Sequence, residues 1–488
     1  MSRKIFLLCL VALLVLTACA GGAQAQPPAT TQPPAPTPLP PSPVPSDTPA
    51  PTATRTLVPT PTAPPVKVGP FETSLLVAEW TDKSGGKDLL YPLDPASGQA
   101  LPAYPPIDLG TQYFDALSPD HHTLAVVKPG SLMLVDLPSW EQQTFQLPRV
   151  ANVSALAFDS QGDRLAIVYG SRTSQVAIFD LNTQAVTAQG ELDFHASQLK
   201  FTSADDGLML YGTLNGISYG EGMMPSGPPR VALLDAGELS LRWSAELGGV
   251  HDGIYSKDGT IGATLDLSQP DSGMYLNPGL AFAPDRDVLY VVYPDQDQLA
   301  VIDFAAQKVD SLTIQAPLAL LERLLAMTAG VAHAKIAQGT SKRAVVSPDG
   351  QFLYVVGTQN TVELDGQGNW QVDANPLGLQ VIRTSDGARL AQVDTQADDL
   401  AISPDGRFLY LSRWENRPWT DVFDTSSQEV AGRLDGILRP VLRMDGQLLL
   451  ASNDWNGTSY STSIVDPQSL KVLSKWTGPQ FLAWLNTP

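Results

Sequence analysis

The sequence predicts an all-β protein folded as a single β-propeller, a ring of four-stranded blades, and three observations carry that prediction. A turn, an apolar strand, a polar turn and a second strand ending in Asp follow one another at Asp285-Arg286-Asp287, Val288-Leu289-Tyr290-Val291-Val292 and Leu299-Ala300-Val301-Ile302-Asp303. Variants of this unit recur at intervals of about 40 residues, the period of a multi-stranded blade. The two ends of the repeat region are incomplete in complementary ways, as a ring closed by its own tail requires.

Each unit opens on a turn before an apolar strand. The turn is Ser118-Pro119-Asp120 before Leu124-Ala125-Val126-Val127, and Asp159-Ser160-Gln161-Gly162 before Leu165-Ala166-Ile167-Val168. It returns as Ser203-Ala204-Asp205-Asp206-Gly207, Ser347-Pro348-Asp349-Gly350, Ser403-Pro404-Asp405-Gly406 and Met444-Asp445-Gly446. Proline presets φ, Asp bonds forward to the backbone and Gly accepts positive φ, so flanking strands pair as a hairpin. A second strand then closes on Asp136, Asp180, Asp235, Asp303, Asp424 or Asp466. An Asp at a fixed place in unit after unit reads as a turn former, not as a catalytic group.

These units resemble the YVTN-type β-propeller repeats of bacterial surface and periplasmic proteins, most clearly at Leu289-Tyr290-Val291-Val292 and Phe352-Leu353-Tyr354-Val355-Val356-Gly357. The Ser-Pro-Asp-Gly turns are similar to those of WD-repeat-like and Tol-associated periplasmic propellers. The resemblance covers residues 74–485 and implies fold more than function. The Gly-His to Trp-Asp pairing of WD repeats is absent.

Inner strands near Ala116, Ala155, Leu199, Leu280, Val345, Leu400 and Leu442 mark seven units. Leu75-Leu76-Val77-Ala78, Leu89-Leu90-Tyr91 and a strand near Leu101 lack an inner partner, which Phe481-Leu482-Ala483-Trp484-Leu485 supplies from the other end. Eight blades are therefore expected, with seven as the alternative. Insertions at 218–229 and 247–278 break the spacing. Those two stretches count as one insertion, and a second begins at Ala316, where Leu318, Leu321, Leu324, Leu325 and Val331 recur at helical spacing, predicting a short amphipathic helix that ends near Gly339.

Ahead of the repeats, Arg3 and Lys4 precede a dozen-residue apolar run over 5–16, too short to span a bilayer. It ends in Leu16-Thr17-Ala18-Cys19, which resembles a bacterial lipobox; that resemblance implies cleavage before Cys19 and a lipid on its sulfur. Residues 1–18 are thus read as a lipoprotein signal peptide. Cys9 leaves with it, so Cys19 is the one cysteine of the mature chain and no disulfide framework is expected. Residues 19–69 are read as a linker and 70–488 as the propeller. In the linker, 16 of the 39 residues over 27–65 are proline. Such a segment stays extended and reaches on the order of 100 Å, a stalk between membrane and globular body.

A net charge of −20, from 50 acidic and 30 basic residues, argues against nucleic acid, which needs a clustered basic face. His121, His122, His195, His251 and His333 form no metal-ligand spacing, and no nucleophile elbow, P-loop or dinucleotide fingerprint appears. No catalytic residue, metal or cofactor is assigned. Trp414, Trp419 and Trp455, beside Arg413, Arg417, Asn453, Asp454 and Asn456 on late loops, are candidate ligand-binding residues. His251, on the long insertion, is the histidine best placed to join them. The function expected is a monomeric, lipid-anchored extracytoplasmic propeller at the bacterial cell surface that binds a protein, a peptide or a cell-envelope glycan. The alternative is an enzyme with its site in the central channel, resembling propeller lactonases or quinone-dependent amine dehydrogenase heavy chains. Palmitate labelling of the full chain should be lost in Cys19→Ser; labelling that persists refutes the anchor.

Overall fold

The computed structural model describes residues 70–80, 86–147, 149–213, 215–219, 222–225, 227–255, 273–315, 337–364, 370–414, 418–455 and 457–485. The expected signal peptide, Cys19 and linker lie outside these residues, as do Arg417, Asn456 and residues 316–336 of the expected helix. That helix does not extend to Gly339, because Ala337–Val346 is a strand.

Eight four-stranded antiparallel sheets form the ring. From inner to outer strand, blade 2 is Phe114–Leu117, Thr123–Lys128, Ser131–Asp136 and Glu141–Gln146. Blade 3 is Val153–Phe158, Arg164–Tyr169, Gln175–Asp180 and Ala185–Glu191; blade 4 is His195–Phe201, Gly207–Thr213, Arg230–Asp235 and Leu241–Glu246. Blade 5 is Gly279–Phe282, Val288–Val292, Gln298–Asp303 and Lys308–Thr313; blade 6 is Ala337–Val346, Phe352–Leu364, Leu379–Arg383 and Arg389–Val393. Blade 7 is Asp399–Ile402, Phe408–Arg413, Trp419–Asp424 and Glu429–Asp435; blade 8 is Arg439–Leu442, Leu448–Trp455, Tyr460–Val465 and Val472–Gly478.

Blade 1 takes Leu75–Trp80, Asp88–Asp94 and Gln99–Ala100 from the start of the repeat region and its inner strand, Phe481–Trp484, from the end. Val77, Ala78, Glu79 and Trp80 face Trp484, Ala483, Leu482 and Phe481 in antiparallel register. This pairing makes eight blades and sets the seven-blade alternative aside.

The apolar runs of the sequence are the second strands, and their lack of alternation has a physical cause: both faces of each are covered. Leu289 and Val291 pack toward blade 4, while Tyr290 and Val292 pack toward blade 6. Leu353 and Val355 likewise face blade 5, and Tyr354 and Val356 face blade 7. An apolar core of this kind joins every consecutive pair of blades, the last and first included, through Leu75, Val441, Leu449, Ala451 and Ile464. Outer strands, covered on one side only, alternate exposed and half-buried positions.

The Ser-Pro-Asp turns share one hydrogen-bonding pattern. The hydroxyls of Ser118, Ser347 and Ser403 donate to Asp120, Asp349 and Asp405 at 2.5–2.6 Å, and accept the N–H groups of Thr123, Phe352 and Phe408 at 2.8–2.9 Å. The six Asp residues that close third strands each accept backbone N–H groups two or three residues on, at 2.6–3.2 Å. Four residues after each lies a left-handed residue: Trp140, Gln184, Leu239, Gln307, Gln428 or Leu470, with φ between 54° and 61°. Blades 1 and 6 place Gly98 and Gly387 there, after Asp94 and Arg383. The turn is therefore the same in all eight blades.

These bonds hold the turn carboxylates charged. Arg242 and the backbone N–H groups of Glu238 and Gly237 pull Asp235 down to about 2, and the Thr183 N–H and hydroxyl lower Asp180. A lowered folded-state value stabilises above the ordinary value near 4 and is lost as pH falls below it. Thermal melting should accordingly fall from pH 4 toward pH 2, and less steeply in a variant carrying Asp180→Asn and Asp466→Asn. Gln307→Gly should stabilise by up to about 1 kcal/mol, because glycine takes positive φ without penalty, whereas Gln307→Val should cost about 1–2 kcal/mol; equal melting points would refute the shared turn. Truncation after Gly478 leaves Leu75–Trp80 as an open edge. It should lower stability by at least about 3 kcal/mol in urea titration and promote aggregation.

Candidate ligand-binding face

Strand alternation divides the connections between two faces of the ring. Turns from first to second and from third to fourth strands, all the repeated Asp turns among them, leave one face. Connections from second to third strands and from blade to blade leave the other. Every insertion among the described residues belongs to this second, upper face. The hairpin Asn215–Tyr219 and Gly222–Pro225 rises from blade 4. The connection from blade 4 to blade 5 contributes Gly253–Tyr255 and Gly273–Asn277, the latter pairing in parallel with the start of Ala337–Val346. Phe352–Leu364 overruns its blade, and Trp370–Pro376 folds back along it.

The insertion is tied down through a polar cluster. Tyr211 donates to Asp252 Oδ2 at 2.8 Å, and the Asp252 N–H donates to the Tyr255 hydroxyl at 2.9 Å. His251 Nδ1 lies 2.7 Å from Asp295 Oδ2, with its ring centroid 4.5 Å from that of Tyr255. Burial pushes the Asp252 carboxyl up to about 6 and the Tyr255 and Tyr275 hydroxyls up to about 12. Lys342, whose amine is pulled down to about 8 by burial, donates to the carbonyls of Tyr293 and Gln296. Tyr211 and Asp295 thus hold the inserted chain to blades 4 and 5, and Lys342 ties blade 6 to blade 5.

The rest of the upper face is built differently. Trp80, Trp414 and Trp455 are 39%, 47% and 56% exposed. Each stands at or just past the upper end of a second strand, in blades 1, 7 and 8, which are consecutive around the ring. Among the described residues, the remaining exposed large apolar ones, Leu241, Val309, Leu390, Val430, Val472 and Leu473, all lie on outer strands. The Trp455 ring lies 4.9 Å from that of Tyr460 at a tilt of 55°, and Tyr460 meets Phe481 edge-on at 5.6 Å; Phe481 in turn sits directly opposite Trp80 in the closing pair. An aromatic arc of Trp455, Tyr460 and Phe481, with Trp80 in register beside Phe481, thus runs across the closing seam.

Of the residues expected at a ligand patch, Trp455 lies on this arc, and Trp414 stands exposed just past the second strand of neighbouring blade 7. Trp419 carries the Arg433 guanidinium 3.9 Å above its ring, held by Asp421 through hydrogen bonds of 2.6 and 2.8 Å. Arg413 is buried beneath the surface, with Nη2 donating to the Ala374 carbonyl at 3.4 Å and Nη1 3.9 Å from Asp398. The Trp414 N–H donates to Asp398 at 3.3 Å, and burial pushes that carboxyl up to about 6. His251 occupies the blade 4–5 sector instead. Trp80, Tyr460 and Phe481 escape a reading by sequence neighbourhood. Trp80 could have been found by aligning the ends of second strands.

Among the described residues, no group of three or more His, Cys, Asp or Glu side chains is arranged to hold a metal ion. No protein-family model and no curated protein matches the chain. Among solved structures, the chain is similar to "Dihydro-heme d1 dehydrogenase NirN in complex with DHE", with a TM-score of 0.50 and 11% identity over 87% of this chain and 78% of that one. At that identity the likeness concerns the propeller fold.

Asp252 generates a pH prediction of opposite sign to the turn carboxylates. Its raised value makes the charged form costly in the folded state, so stability rises as pH falls through about 6 toward 4. Asp252→Asn should remove that rise, worth up to about 3 kcal/mol, from melting curves taken between pH 7.5 and pH 4.5.

Proposed function

We propose that this chain is a lipid-anchored extracytoplasmic propeller, of the kind the YVTN-type repeats resemble, that works as a binding module for a protein, a peptide or a cell-envelope glycan. The observation that carries the binding reading is the aromatic arc. A soluble ring covers the large side chains of its second strands almost completely, yet three tryptophans at corresponding positions of adjacent blades stay open to solvent. Indoles offer a large, rigid contact area at low entropic cost, and such residues dominate binding energy at interfaces. The anchor on Cys19 and the proline-rich stalk would tether the propeller to the membrane. The enzymatic fold neighbour shares the scaffold, and propellers host binding and catalysis alike.

The test uses the full chain, purified in detergent and immobilised, against cell-envelope extract. Material retained by the wild type should be lost in the combined Trp80→Ala, Trp414→Ala and Trp455→Ala variant at an unchanged melting temperature. Identical retention by both proteins would overturn the reading.

A further inference from the structure

The strand Trp370–Pro376, raised above blade 6 on the upper face, has a backbone edge that no described strand covers. It pairs with residues 358–364 of Phe352–Leu364 in unbroken antiparallel register, and among the described residues nothing pairs with its other side. Three observations fix which of its groups face outward. The Leu377 N–H donates to the Gly357 carbonyl at 2.8 Å, so in the continuing alternation Asn375, Asp373 and Gln371 are the residues bonded to Phe352–Leu364. Pro376, which has no N–H to give a ladder, falls on the outward set with Ala374, Val372 and Trp370. The Ala374 carbonyl is met by a side chain of blade 7, Arg413, at 3.4 Å.

This edge differs from the outer edges of the blades. Third-to-fourth pairing carries a register shift in blades 3, 4, 6, 7 and 8, and the outer strands of blades 2 and 5 hold Glu141, Lys308 and Asp310. Blade 1 ends on the two residues Gln99–Ala100, and the opposite margin of the raised sheet is the three-residue Gly253–Tyr255. Bulges, charges and shortness are the devices that keep sheet edges from pairing with other chains. Apart from its terminal Pro376, Trp370–Pro376 has none of them: it runs for seven residues with one charged residue, Asp373, and no register shift.

A row of N–H and C=O groups repeating at strand spacing is matched by another extended backbone, which supplies the same groups at the same spacing. We propose that Trp370–Pro376 receives an extended segment of a partner protein, which joins the raised sheet as a further strand with Val372 at the centre of the pairing. This surface involves none of Trp80, Trp414 and Trp455, so it goes beyond the binding reading above and is tested apart from it.

The test titrates the full chain in detergent with a fluorescent peptide copying residues 358–364, the sequence that already pairs with this strand on its other side. Anisotropy should show saturable binding, and the same peptide N-methylated at every central residue should not bind, since it has no N–H to donate. Val372→Pro deletes an outward N–H without touching the inner ladder, so it should weaken the peptide by at least about tenfold at an unchanged melting temperature. Ala374→Pro removes the next outward N–H and serves if the first variant does not fold. On binding, hydrogen exchange should slow at the amides of Val372 and Ala374, while those of Asp373 and Asn375 are protected with or without peptide. Equal binding by the native and N-methylated peptides, or by the wild type and both proline variants, would overturn the proposal, as would no binding up to about 1 mM peptide. Binding lost in the combined Trp80→Ala, Trp414→Ala and Trp455→Ala variant but kept in Val372→Pro would assign the peptide to the aromatic sector, sinking this proposal and leaving the binding reading standing. Concentration-dependent dimerisation of the wild type in sedimentation, abolished by Val372→Pro, would give the edge to a second copy of the chain and overturn the partner segment.

Discussion

The whole ring depends on burial of the second strand of every blade on both of its faces. A strand such as Val288–Val292 cannot leave an alternate set of side chains in water, because Leu289 and Val291 contact one neighbouring blade and Tyr290 and Val292 the other. Each fully buried side chain of this kind contributes about 1.5–3 kcal/mol relative to exposure, so a blade cut from the ring would expose most of what stabilises it. Closure is then a requirement. The seam between blades 8 and 1 is an apolar core like the rest, and the backbone pairing of Leu75–Trp80 with Phe481–Trp484 locks it.

That architecture leaves the two faces under different constraints. The lower face is bound by turn chemistry: an Asp or Ser side chain satisfies backbone N–H groups, and a left-handed residue completes the third-to-fourth turn in all eight blades. Inter-blade bonds reinforce it, as where Ser203 donates to Asp287, Lys200 to the Ala283 carbonyl and Arg286 to the Gly350 carbonyl. Insertion there would break both the turn and the link to the next blade. Upper connections carry no such repeated pattern. They can lengthen into the hairpin of blade 4 and the extended sheet of blade 6, or end in an exposed indole, without disturbing the ring.

The upper face is itself divided. Over blades 4 to 6 the inserted strands are fastened by Tyr211, Asp252, His251 and Asp295, polar groups spent on holding the protein's own chain. Over blades 7, 8 and 1 no insertion stands among the described residues, and the aromatic arc meets solvent. The proposed binding surface thus straddles the closing seam, so integrity of the seam and presentation of Trp80, Phe481, Tyr460 and Trp455 are one structural matter.

Much of this was written in local chemistry. Ser-Pro-Asp-Gly turns, strands closing on Asp and doubly apolar second strands are decided by residues a few positions apart, which is why blade boundaries, the unpaired ends and the structural role of the repeated Asp residues could be read directly from the chain. Trp414 and Trp455 were legible as loop aromatics for the same reason. What tertiary structure alone decided is which distant residues become neighbours. It set Arg433 over Trp419 and turned Arg413 inward, where composition suggested an open patch. It also brought Trp80 and Phe481, some 400 positions apart in the chain, into one register. Local sequence dictates each turn and strand, but side chains at the two ends of a chain meet only when the ring closes, and no pattern of neighbours along the backbone encodes that meeting.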